Sequence, residues 1–208
     1  MKSLIIIFSV LLSLSLHAQE YRFDYIITTE TQRIQPSWFV GTGQSLINSK
    51  DNSYELLFTA DGSDAVLFDS KLNLRHNFKM EKGTTGKLLF THVETITLPK
   101  LKTIYVGARK ASENIFITCD FYNRRKKRSA TEVTVKVKEA PANLLSISAD
   151  VGLDKRKALA DALLPLLDKG KNYIVESATI DYKGGYLFTE KLLNYSRTNL
   201  VLMVPKKN

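Results

Sequence analysis

From residue 20 to residue 140, apolar side chains return at every second position, segment after segment. Tyr21, Phe23, Tyr25 and Ile27 alternate with Arg22, Asp24 and Thr28. Successive side chains of a strand point to opposite faces, so this period marks a strand with one buried face. The pattern recurs at Tyr54, Leu56 and Phe58, at Leu74, His76, Phe78 and Met80, at Ile115, Ile117, Cys119 and Phe121, and at Val133, Val135 and Val137. Less regular apolar runs at Val66–Phe68, Leu88–Leu98 and Leu101–Val106 fill the gaps. Turn-forming clusters separate them at 49–52, 61–64 and 83–86, where Gly, Asn and Asp tolerate positive φ or bond back to the local backbone. Short strands with tight turns and no helices between them predict an antiparallel meander rather than a parallel sheet.

The period changes once. Leu159, Ala162, Leu163, Leu166 and Leu167 form a single helical stripe. Asp154 suits the N-cap and Gly170 the terminator. Pro165 removes one backbone donor and crowds the carbonyl of Asp161, so a bend or break is expected there. Strands are expected again over Tyr173–Tyr182 and Asn199–Val204, with a Lys183-Gly184-Gly185 turn and a less regular Tyr186–Tyr195 segment between. The expected fold is mainly β: a curved antiparallel meander or half-barrel with one amphipathic helix, about 154–168, packed on it. A sheet of roughly nine to eleven strands tends to curl or close. A curled sheet holding a helix on its inner face is the geometry of half-barrel lipid and lipoprotein carriers, an analogy of fold alone.

The amino terminus bears on location. Lys2 is followed by the uncharged run Leu4–Leu16, with Ala18 before the polar Gln19-Glu20. That is the pattern of a secretory signal cleaved after Ala18; the run falls short of the roughly 20 residues of a membrane span. Residues 19–208 are then expected to form a single β-rich domain. Cys119 is the sole cysteine, which rules out an internal disulfide in an oxidising destination. Stability must come from burial, for which ten Phe, nine Tyr and Trp38 are the material.

The immediate YRFDY strand, the INSKDNSYELLF hairpin and the YIVESATIDYKGGY segment resemble secreted β-rich envelope proteins of Gram-negative bacteria near the group named for a GLPGLI motif. The GLPGLI string itself is absent. The resemblance implies an exported envelope protein and carries over no catalytic residue.

The net charge of +9 is local. Arg124, Arg125, Lys126, Lys127 and Arg128 form one cluster and Lys155, Arg156 and Lys157 another; outside them the exported chain is neutral. The first cluster lies between two strands, where guanidinium groups could grip phosphates or the anionic envelope surface, or a solvated loop could simply resist edge aggregation. The second occupies the first helical turn, where the macrodipole disfavours cations; an anion held with free N–H groups, or local pairing with Asp150 and Asp154, would account for it. Export argues against nucleic acid as partner. His76 and His92 remain after processing without metal-ligand spacing, and Cys119 reads as a small buried residue, so no metal or cofactor is expected. Hydrolase, P-loop and zinc-protease strings are missing, and Gly41-Thr42-Gly43 lacks the context of a dinucleotide site. Asp120, Glu132, Glu176 and Asp181 are carboxylates that could meet across strands. The sequence therefore predicts a non-enzymatic exported protein, in the periplasm, on the outer membrane or outside the cell, whose curved interior takes lipid or another apolar ligand. The alternatives are an adaptor with a filled core and a hydrolase using those carboxylates.

Overall fold

The computed structural model describes residues 18–37, 39–59, 61–82, 88–98, 105–121, 125, 128–147 and 153–205, without the side chains of Phe39, Lys82, Leu88, Leu153 and Asp154. The expected leader up to residue 17, the turn at 83–86, Leu101–Ile104, Asp150, the side chain of the proposed N-cap Asp154, and Arg124, Lys126 and Lys127 lie outside that description.

Eleven strands form one antiparallel sheet. They are β1 (Ala18–Gln35), β2 (Phe39–Asn48), β3 (Asp51–Phe58), β4 (Asp64–Asp69), β5 (Leu74–Lys82), β6 (Leu88–Thr97), β7 (Tyr105–Ser112), β8 (Ile115–Phe121), β9 (Ser129–Glu139), β10 (Tyr173–Asp181) and β11 (Leu187–Pro205). Their order is β6-β5-β4-β3-β2-β1-β11-β10-β9-β8-β7, so β6 and β7 are consecutive in sequence yet lie at opposite edges. Laid flat, those edges would stand ten spacings apart, about 48 Å. Thr97 and Tyr105 are eight residues apart, a reach of at most about 28 Å. The sheet must therefore curl, and because β6 and β7 do not pair it stays open.

One long strand, β11, takes in both the expected strand Asn199–Val204 and most of the irregular Tyr186–Tyr195 segment before it. Register shifts against β1 at Phe23/Tyr25, Thr28/Thr29 and Arg33/Gln35 explain the irregular pattern, because each one resets which residues face inward. β2 had no signal: Gly41 and Gly43 remove side chains from the positions where alternation would show.

The helix α1 (Leu153–Asp161) is shorter than the expected 154–168 stretch. It breaks ahead of Pro165, and a 3-10 turn follows over Leu164–Leu166. Ala162 N–H still bonds Ala158, but Leu163 N–H reaches Ala160 instead of Leu159. The Thr118 hydroxyl donates to the Leu159 carbonyl at 3.1 Å, which explains a fully buried threonine on β8. Leu159 and Leu163 are fully buried against Phe116, Val133, Val135 and Ile180 on the inner face of the sheet. Segment 140–147 runs inside as well: Leu144 bridges Ile174 and packs with Tyr25, Ile27 and Ile47.

The other face of β2–β5 is covered too. Leu46, Leu56 and Leu67 pair in series across β2, β3 and β4, opposite in direction to Ile47 and Glu55. The starting residues of β1 (Tyr21, Phe23) and the last of β11 (Leu202, Val204) pack against that leucine row. Glu55 and Leu56 are consequently buried side by side, which no one-faced strand allows.

β8 corrects the sequence reading of Cys119. The buried residues are Phe116, Thr118 and Asp120, while Ile117, Cys119 and Phe121 are half-exposed. The face covered by the helix is the more polar one, because the helix brings its own polar partners.

Candidate functional site

The helix lies along the concave face, its start beside the β8–β9 end and its finish beside the β2–β3 hairpin. Lys155 Nζ stands 2.8 Å from Asp120 Oδ2 and 2.9 Å from Thr131 Oγ1. Asp120 and Thr131 are directly paired across β8 and β9, so one ammonium ties both strands. Arg156 reaches the buried Glu55 of β3 at 3.5 Å, and Glu55 also accepts from the Ser146 hydroxyl at 3.3 Å. Lys157 pairs with Asp161 one turn on at 2.5 Å, and Asn52 of the β2–β3 hairpin donates to the same carboxylate at 3.4 Å. The three cations that the sequence marked for anion contact thus have carboxylate partners, and for Lys155 and Arg156 the described partners come from the sheet.

Between the helix and the β2–β3 hairpin opens a cleft of about 200 Å³. Ile47, Tyr54, Leu145, Ala160 and Leu164 supply its apolar wall, and Lys50, Arg156 and Lys157 stand over it. The hairpin is stiffened by its own bonds. Asp24 accepts from the Ser49 N–H at 2.8 Å and from the Ser49 hydroxyl at 2.5 Å, and Tyr54 OH donates to the Arg22 carbonyl at 2.9 Å. The interior beyond is filled, with only about 10 Å³ left among Ile27, Leu144, Ile174 and Leu192. A third cleft, about 460 Å³, lies by the β7–β8 turn and is dominated by opposed charges such as Lys171 with Glu139. The cleft under the helix joins apolar walls to cations that are themselves paired at its rim, Arg156 with Glu55 and Lys157 with Asp161.

Sequence reasoning missed a buried polar chain on the opposite face. Asp69 accepts from Tyr21 OH at 2.9 Å and Gln19 Nε2 at 3.1 Å; Tyr21 OH meets His76 Nε2 at 3.1 Å. His76 Nδ1 lies 2.8 Å from Thr95 Oγ1, which also meets His92 Nε2 at 2.9 Å. Burial, and then the neighbouring His92, push the His76 pKa down to about 4. Burial and the Asp69 carboxylate raise the Tyr21 hydroxyl well above its ordinary value. The alternation at Leu74, His76 and Phe78 was the signal that His76 faces a core; its partners come from strands 19 to 55 residues away.

Among the four carboxylates considered for hydrolysis, Glu132 and Asp181 do meet as a direct cross-strand pair. Lys183 stands between them, 2.7 Å from Asp181 and 3.4 Å from Glu132. Its hydrogen bonds hold Asp181 below the usual carboxylate range, the reverse of what a general acid needs. Asp120 points to the other face with Lys155, and Glu176 pairs with Lys136. Burial and Glu132 push the Cys119 thiol up to about 11, away from nucleophilic use. Among the described residues, no three His, Cys, Asp or Glu side chains gather as metal ligands. Of the basic run, Arg125 and Arg128 are described and exposed. It joins β8 to β9, at the same end of the sheet as Lys155.

No protein-family model and no curated protein matches the chain. Among solved structures, the chain is similar to a LolA superfamily protein of Nitrosomonas europaea, at 9% identity over 86% of this chain and 87% of that one, with a TM-score of 0.35.

Proposed function

We propose that this is an exported, non-enzymatic protein of the bacterial envelope that binds a lipid or another apolar ligand against the inner face of its sheet, with α1 as the cover. One observation supports this above the rest. The sheet presents Phe116, Val133, Val135 and Ile180, and what closes over them is a nine-residue helix helped by Leu163 just beyond it and Ile147 of the inner segment, with an open cleft along the helix flank. Nine residues are too few for a helix to persist without packing, so the cover depends on its leucines and on the Lys155–Asp120 and Arg156–Glu55 pairs. The cations over the cleft suit a ligand with an anionic head, and the aromatic and aliphatic wall suits its tail. A cleft of about 200 Å³ falls below the usual 300–1,000 Å³ of ligand sites, so a full acyl chain would enter only as the helix moves aside.

The filled interior favours a second reading, an adaptor whose sheet is simply a closed core. Native mass spectrometry of protein purified from the envelope separates the two. A co-purified amphiphile, lost on solvent extraction and regained on adding lipid, is expected for the carrier. Mass matching the bare chain, with no uptake of added phospholipid or fatty acid, would leave the adaptor.

A further inference from the structure

The most deeply buried charge lining the cleft beside α1 is Glu55, whose side chain is 6% exposed. Its contacts are long for a carboxylate so placed. Arg156 stands at 3.5 Å and the Ser146 hydroxyl at 3.3 Å, where charge-assisted bonds ordinarily measure about 2.7–2.9 Å. The adjoining helix residue is held differently, for Lys155 closes on Asp120 to 2.8 Å. Both pairs tie the helix to the sheet, and only the second is drawn to full contact. Glu55, Ser146 and Arg156 all line the cleft, so a donor entering there meets a buried carboxylate with bonding capacity to spare.

The charges around the cleft are of both signs. Lys50, Arg156 and Lys157 line it together with Glu55 and Asp161. Lys157 and Asp161 satisfy each other. Lys50, at the tip of the β2–β3 hairpin, is exposed and has no carboxylate partner among the described residues. A ligand bearing only an anion would meet Lys50 with Glu55 and Asp161 close by. If it drew Arg156 away, it would strand the buried Glu55, which is costly. A ligand bearing only a cation would leave Lys50 and Arg156 opposed to nothing new. A head with both charges leaves every group compensated: its cation donates to Glu55 while its anion accepts from Arg156 and Lys50.

We infer that the cleft selects amphiphiles whose head carries a primary ammonium beside a phosphate, the phosphatidylethanolamine type, with the ammonium at Glu55 and the phosphate toward Arg156 and Lys50. The inference rests on the carrier reading and narrows its ligand. A cleft of about 200 Å³ receives such a head without its tail, and the tail follows the wall of Ile47, Leu145 and Leu164. A primary ammonium has hydrogens to give to Glu55; the trimethylammonium of phosphatidylcholine has none, and phosphatidylglycerol has no cation.

Calorimetric titration of the protein with dihexanoyl lipids, below their micellar concentrations, tests this. Dihexanoyl phosphatidylethanolamine should bind roughly tenfold more tightly than its phosphatidylcholine or phosphatidylglycerol counterpart, the difference expected of a hydrogen bond to a charged group. Adding N-methyl groups to the ethanolamine one at a time should lower affinity stepwise. Glu55→Gln keeps an oxygen for Ser146 and Arg156 but removes the charge, and should reduce the preference to about threefold or less. The control Glu94→Gln, at an exposed acid of β6, should preserve it. Equal affinity for the three heads overturns the inference while leaving the carrier reading in place, as does a preference that survives Glu55→Gln. The methyl series uses the unaltered protein, so it decides the matter even where Glu55→Gln fails to fold. Tail-free phosphoethanolamine binding as tightly as the dihexanoyl lipid would keep the head-group assignment and overturn the carrier reading. Binding of none of these compounds overturns both.

Discussion

His76 shows how a single residue records the packing around it. It sits 1% exposed between Tyr21 and Thr95, with its pKa lowered to about 4 from an ordinary 6.5. Around it stand Asp69 and Tyr21 from β4 and β1, and Thr95 and His92 from β6. A base whose folded pKa is depressed binds its proton better in the unfolded chain. Stability is therefore full above pH 6.5 and falls as the pH drops from 6.5 toward 4, by at most about 1.4 kcal/mol per unit for one proton. Urea unfolding from pH 7 down to 4.5 should show this decline, and His76→Gln should flatten it; an unchanged slope would mean the proton is taken elsewhere. Tyr21→Phe leaves Asp69 and His76 each short of a partner and should cost about 1–3 kcal/mol in the same assay. The alternation of residues 74–80 marked His76 as inward-facing. That its neighbours would be a tyrosine, an aspartate and a threonine was not legible, because they arrive from three other strands.

At the scale of elements, α1 is held by two kinds of contact that can be separated by mutation. Leu159→Ala empties a fully buried site against β8 and β9 and should cost about 2–5 kcal/mol. Lys155→Met leaves Asp120 nearly buried beside no described cation; partial exposure of the pair moderates the loss to on the order of 2–3 kcal/mol. Restoring apolarity on both sides, with Asp120→Leu added, should return most of it, since the matched pair contributes little beyond its own desolvation. Denaturant midpoints of the two single variants and the double variant test this, and a double variant no more stable than Lys155→Met would contradict it. The leucine stripe announced the helix and Pro165 its break. The basic first turn left anion contact and pairing with nearby carboxylates both open, because a sequence does not show that a sheet will offer Asp120 and Glu55 at that place.

For the molecule as a whole, curvature follows from the order of its strands, and the same order leaves the outer sides of β6 and β7 without a strand partner among the described residues. β7 carries Arg109 and Lys110, charges that discourage pairing with another chain, whereas β6 carries one acid and a bulge at Val93. Leu89 and Val93 are exposed by 54% and 55% along that edge. Val93→Lys should raise the temperature at which light scattering appears on heating, while shifting the reversible unfolding midpoint by under about 0.5 kcal/mol. Scattering unaffected by this change would place the aggregation-prone edge elsewhere.

Composition and local period by themselves determined that this chain is a β meander with one late helix, since alternation and the helical stripe are properties of neighbouring residues. The lengths of the strands and of α1 were less accessible, because bulges in β11, glycines in β2 and a proline after the helix interrupt those periods. Only tertiary structure decided which face is inside. Curling places a helix on one side of β3 and the strand ends of β1 and β11 on the other, so Cys119 moves outward, Asp120 and Glu55 move inward, and Lys155 and Arg156 of the helix find partners far along the chain. Burial of charge depends on what stands opposite in space, and that is set by how the sheet rolls, a property of no short stretch of residues.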